Sequence, residues 1–265
     1  MFPAKPNQAI LSVGFAQDLV WFLYETILHT IVIVTYVQLL TMIYRRNFQF
    51  LTITAAAQWP GWLPLGVGIL LLDFLYWGQH FTNHKVPVLS GFHTIHHSQK
   101  QLNFFIDFHY HILEYIVRHM WLVIPFMILQ VDPPQIVRFS IIAGWYTRFY
   151  HGNIRTNLGP LRFVLVTPQS HRIHHSVERR HRDTNFGALF SIWDRLLGTQ
   201  YRDYGEYPET GIEDEAFPHE KIAGIKSLLL RPLVQMVYPF RQTQEQYAAS
   251  PSIRQRAPDR AAREA

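Results

Sequence analysis

Residues 93–97 read HTIHH and residues 171–175 read HRIHH, the same five-residue arrangement of three imidazoles twice in one chain. His80 and His84 precede the first copy at a spacing of four. On a helix, positions i, i+3 and i+4 share a side, so each cluster is expected to aim its imidazoles at one point. Two such triples facing the His80 and His84 pair could enclose two metal ions. Of the 15 histidines, 12 fall between residues 80 and 175, a concentration that random scatter does not produce. The chain has no cysteine, which excludes disulfides, thiolate metal sites, Fe–S ligation and cysteine nucleophiles. Any metal is therefore held by nitrogen or oxygen, and imidazole suits Zn, Cu, Fe and Ni. Eight or nine imidazoles exceed the needs of one zinc, but could give two metals four or five nitrogens each with positions left open for oxygen. The Glu plus Glu-x-x-His set of soluble di-iron bundles is absent. His29, His119, His181 and His219 stand outside every cluster and read as non-ligands.

The elements that must carry these residues are apolar. Hydrophobic residues make up 48% of the 265, and only 16% are charged, against about a quarter in soluble domains. Leu19 to Tyr44 is long enough to cross a bilayer, with Glu25 and His29 its awkward members; Trp62 to Trp77 is a shorter or tilted span. Residues 112–131 and 135–150 are apolar again, parted by a turn at Asp132, Pro133 and Pro134. Two hairpins, each followed by histidines, bring every histidine motif to one side, and the Lys and Arg gathered there mark that side as cytoplasmic. Arg45 and Arg46 would then fall on the opposite side. The expected fold is all-α: an integral-membrane, multi-pass chain of about four transmembrane helices under a cytosolic helical cap. A soluble all-α protein with long buried helices is the alternative. Residues 1–241 read as a single domain and 242–265 as a disordered tail. The opening MFPAKPNQAI lacks the pattern of a removable signal peptide. The net charge of +5 comes with no nucleic-acid motif, so membrane-surface charge is the better reading and no nucleic-acid partner is expected.

Asp73 followed by HFTNH (80–84), FHTIHHS (92–98), TPQSHRIHHS (167–176) and DTNFGALFSIWDRLLGT (183–199) together resemble the fatty acid hydroxylase and sterol desaturase superfamily of integral-membrane, non-haem di-iron oxygenases. The resemblance covers roughly residues 70–200 and implies a four-helix membrane stem under a cytosolic, helical, metal-binding cap. His80, His84, His93, His96, His97, His171, His174 and His175 match the metal-ligand positions, and His151 in YHGN looks like the intervening histidine, a ninth ligand. Where the family often carries Arg-x-His-Pro-x-Glu, this chain has His109, Tyr110, His111, Ile112, Leu113 and Glu114, without the Arg or the Pro. His111 and Glu114 are therefore candidates for supporting a ligand rather than for being one. Asp73, seven residues before His80, could orient an imidazole as an acceptor, and Asp183 and Asp194 could do likewise. Asn153 could contribute through water.

Breaking an unactivated C–H bond needs an oxidant no side chain supplies, so two iron ions, with zinc as a possible substitute, would carry the chemistry. The resemblance implies hydroxylation or desaturation of a fatty acyl or sterol-like lipid with O₂ and two external electrons, in lipid biosynthesis. No dinucleotide fingerprint is present, so electrons are expected from a ferredoxin or a cytochrome b5-type protein with its reductase, docking on the basic face. The alternatives are a zinc-dependent membrane hydrolase and a metal transporter, whose ligands should lie within spans rather than between them.

Overall fold

The computed structural model describes residues 2–131, 133–220 and 224–241, and the expected tail at 242–265 lies outside the described residues. Among the described residues the regular structure is helical, with isolated bridge pairs such as Leu165 with Phe190 instead of strands. Helix α1 runs over Val13–Leu51. It extends past the apolar stretch at both ends, and turns of wider, π-helical pitch interrupt it at His29–Ile33 and Tyr44–Phe48. Among the described residues it is the one helix long and apolar enough to cross a membrane, and its most apolar window is not buried inside the protein.

Helix α2 (Trp62–Lys85) continues beyond Trp77, so His80 and His84 ride on its last turns. It stops because Val86 precedes a proline and takes an extended conformation, φ −95° and ψ 118°. Pro87 then opens α3 (Pro87–His97) in the first turn, where its missing N–H costs nothing. That corner folds the HTIHH face back against the end of α2. Helix α4 (Ile112–Ile128) begins at His111, whose ring accepts the Leu113 N–H, and α5 (Pro133–His151) begins on a proline and ends on a histidine. Helix α6 (Pro168–His174) is only seven residues long and is secured by a capping box in which the Thr167 side chain and the Ser170 backbone and hydroxyl satisfy each other. Two further helices follow, α7 (Ile192–Leu196) and α8 (Ile225–Arg241).

Helices α1, α2, α4 and α5 form a stem. At the end away from the histidines, Phe126, Leu129 and Val131 pack with Leu65, Leu72, Ile136 and Phe139. At the histidine end Trp21, Ile95 and Phe217 form a second cluster, and Trp21 Nε1 donates to Gln235 Oε1 at 2.9 Å, which ties α8 to α1. Between the stem helices lies a cavity of about 1380 Å³ that reaches from Arg45, Gln49 and Thr52 to Asp107, Ala188 and Leu189.

Candidate metal centre

The nine candidate histidines converge in two groups, but not triple by triple. His80, His84, His93, His97 and His174 form one group; His96, His151, His171 and His175 form the other; within each, the facing atoms lie within 4.8 Å of one another. The expectation that each triple aims at one point is thus corrected. At about 100° per residue, i and i+4 differ by about 40°, whereas i+3 points about 60° to the other side of i. His93 and His97 therefore turn together while His96 points elsewhere, and His171 and His175 turn together while His174 points elsewhere. Because α3 and α6 face each other, each helix gives a pair to one group and a single ring to the other.

Hydrogen bonds at the outer nitrogens fix how these rings are held. His80 Nδ1 donates to the Phe186 carbonyl at 2.9 Å, His174 Nδ1 to the Thr184 carbonyl at 2.8 Å, and His151 Nδ1 to the Thr147 carbonyl at 2.8 Å. His93 Nδ1 donates to Glu114 Oε1 at 2.8 Å, and Asn83 Nδ2 donates to the same oxygen. Carbonyls and carboxylates only accept, so the single N–H of each neutral ring sits at Nδ1 and its Nε2 presents a bare lone pair. Yet His80 Nε2 stands 3.0 Å from His93 Nε2. Two lone pairs at that separation repel unless a cation lies between them. His84 Nε2 and His174 Nε2 are buried without any hydrogen-bond partner. In the second group His171 Nε2 stands 2.7 Å from His151 Nε2 and 3.1 Å from His175 Nε2. Two nitrogens bound at 2.0–2.1 Å to one ion are about 2.9–3.4 Å apart, so the 3.0 and 3.1 Å separations match a metal ion in each group and the 2.7 Å pair needs to open by only about 0.2 Å. Burial pushes His151 and His174 down to about 3, and burial with neighbouring imidazoles drives His80, His84, His96, His97, His171 and His175 well below the usual histidine range. All eight are neutral at pH 7, the form that coordinates.

The supporting residues divide. Glu114 contacts His93 as above, and Asp183 Oδ1 lies 3.7 Å from His84 Nδ1 and pairs with Lys85. Asp73 does not orient an imidazole: it accepts from Leu189 N, Phe190 N and Trp193 Nε1. Asp194 accepts from Phe186 N, Gly187 N, Trp77 Nε1 and Thr199 Oγ1. These two carboxylates anchor the DTNFGALF loop whose carbonyls hold His80 and His174. A Cβ on Gly187 would stand 2.7 Å from the Phe190 carbonyl oxygen, so the loop needs glycine there. His111 caps α4 and donates from Nε2 to the Met236 carbonyl at 3.0 Å, and Asn153 bonds Lys5 and Arg172, so neither reaches an imidazole of the two groups. His109 pairs with Asp18, 2.8 Å away.

Sequence reasoning missed Tyr110, which stacks on His96 at 4.1 Å with its hydroxyl 3.1 Å from His96 Nε2, and Asp107, 3.7 Å from His151 Nδ1. Neither residue falls at a ligand spacing. Nor did it foresee that part of the basic face is paired with carboxylates: Arg180 with Glu178 and Glu206, Arg179 and Arg182 with Glu213.

The chain is 29% identical over 142 residues to an ornithine lipid hydroxylase of Rhizobium tropici, covering 54% of this chain and 43% of that one. It is 30% identical over 155 residues to an alkylglycerol monooxygenase of Danio rerio (58% and 33%), and 26% identical over 133 residues to a human cholesterol 25-hydroxylase (49% and 48%). The matches thus span less than half the length of these curated relatives. No solved structure matches significantly. The family model for fatty acid hydroxylase matches residues 65–199, half of the chain and the stretch that holds all nine clustered histidines, and the chain belongs to that family.

Proposed function

We propose that this protein is a membrane-bound, non-haem di-iron oxygenase that hydroxylates or desaturates a lipid. The observation that carries the reading is the pair of imidazole groups, five and four rings, with bare lone pairs turned inward at one end of a cavity-bearing stem. His80, His84, His93, His97 and His174 would hold one iron; His96, His151, His171 and His175 would hold the other. When bound, the irons supply the oxidant for the C–H bond. Hydroxylation balances as R–H + O₂ + 2e⁻ + 2H⁺ → R–OH + H₂O, with electrons from an external ferredoxin or cytochrome b5-type donor.

The chain's own residues orient and enclose. Glu114 and the Thr147, Thr184 and Phe186 carbonyls fix ring rotation, which raises ligand basicity and keeps each Nε2 free. The buried cap excludes water, while the stem cavity admits the chain of a lipid. The relatives named for ornithine lipid, alkylglycerol and cholesterol support a lipid substrate. In this reading residues 1–241 are a single domain, the apolar stretches 19–44, 62–77, 112–131 and 135–150 cross the bilayer as two hairpins, and the histidines beyond their ends face the cytoplasm. Donor docking on the basic face would weaken as salt rises.

Metal analysis and ¹⁸O₂ labelling test the reading together. Purified protein reconstituted anaerobically should hold close to two irons per chain, and membranes expressing it should yield a lipid carrying ¹⁸O or a new double bond. Zinc-supported, O₂-independent turnover would overturn it in favour of a hydrolase.

A further inference from the structure

Apolar side chains such as Val37, Leu72, Val123 and Phe139 line the stem cavity, yet its histidine end carries Glu25, Asp107, Arg118 and Arg148. Arg148 has a counter-ion in Asp107, 3.8 Å away. Arg118 is different. Its guanidinium lies against the rings of Tyr110, Tyr115 and Tyr76, at 4.3, 4.7 and 5.6 Å from their centroids. Those rings engage the cation through their π-faces but accept none of its in-plane N–H groups, and Nε and Nη2 are left without a hydrogen-bond partner. Glu25 and Glu114 lie close enough to act on Arg118 through charge but bond neither Nε nor Nη2, and a planar fork of unsatisfied donors at the cavity wall matches two oxygens sharing a negative charge.

The geometry points to Arg118 as the residue that recognises an anionic oxygen group, carboxylate or phosphate, on the lipid entering this cavity. It follows that oxidation falls on carbons near that group rather than at the far end of the chain. This inference rests on the oxygenase reading above for its second half only. Tyr110 stacks on Arg118 at 4.3 Å and on His96 at 4.1 Å, so two ring contacts separate the guanidinium from an imidazole of the metal groups. None of the clustered histidines lines the cavity itself, but a head group seated on Arg118 leaves the first carbons at the end nearest them and sends the remainder down the cavity toward Thr41 and Gln49.

The test uses the full chain in neutral detergent, metal-free and iron-loaded, with palmitate, hexadecyl phosphate and hexadecanol as probes of equal chain length. One anionic probe should bind roughly 10- to 100-fold more tightly than hexadecanol, as expected for charge-assisted hydrogen bonds. Which of the two it is names the carboxylate or the phosphate. Arg118→Leu should erase that preference while retaining hexadecanol binding and metal content, and Arg118→Lys should keep part of it. Equal binding of all three probes by the unmodified protein overturns the inference even if Arg118→Leu does not fold, as does a preference that survives Arg118→Leu. Binding to the metal-free protein is independent of turnover, so a retained preference with no oxidation sinks the oxygenase reading alone. Mass-spectrometric location of oxygen at the distal chain end would overturn the positional half.

Discussion

The two imidazole groups are built from the same parts in opposite proportion. In the five-ring group, α3 contributes the pair His93 and His97 and α6 the single His174; in the four-ring group, α6 contributes the pair His171 and His175 and α3 the single His96. What differs is the third source and its support. The larger group adds two rings from α2 and takes its orientation from Glu114 and loop carbonyls, whereas the smaller adds His151 alone, held by a carbonyl of its own helix. The comparison teaches that the i+3 histidine of each triple is a strut between the groups, and that the smaller group has no ring to spare.

The largest effect should come from removing a strut. His96→Ala leaves three rings in the smaller group and His174→Ala leaves four in the larger. Both should reduce turnover to background, but elemental analysis should show iron falling to near one per chain in His96→Ala and to a lesser extent in His174→Ala. Equal losses would erase the asymmetry. Next, Glu114→Gln loses the carboxylate that polarises His93 and should cost roughly 10- to 100-fold in metal affinity or activity, read by metal competition. The same size of effect from Asn153→Ala would mean that contact with a ring is not what matters.

A third expectation concerns acidity. His151 and His174 sit at about 3 when folded, against about 6.5 in an unfolded chain. A folded value lowered in this way makes the unfolded state bind more protons below about pH 6.5, so stability is fully present above that pH and is lost as pH falls toward about 3. Thermal unfolding of the metal-free protein should therefore be flat near neutrality and drop steadily below about pH 6.5; a profile flat to pH 4 would contradict neutral buried rings. Smaller still is Gly187→Ala, where the crowded Cβ should cost about 1–3 kcal/mol and loosen the loop under the larger group, visible as weaker metal retention there first. Smallest is His111→Ala, which removes a helix cap worth about 1 kcal/mol and should leave iron content unchanged.

Much of this protein was determined by its sequence alone. The histidine spacing pointed to metal binding, Trp62 onward read as an apolar helix, and the motifs from Asp73 to Thr199 carried the family, whereas Pro133, read as part of a turn, opens α5. What only the tertiary structure decided is the allocation of rings. Helical periodicity says that His96 diverges from His93 and His97, but which rings meet it depends on α6 packing across from α3, a contact between segments far apart in the chain. Asp73 and Asn153 show the same limit: a carboxylate or amide near a ligand in sequence satisfies whichever donors the fold brings closest, here the loop at Leu189 and the Lys5 backbone. Burial, which strips these groups of water and forces each to find a partner, is a property of the assembled core and is not written at any single position.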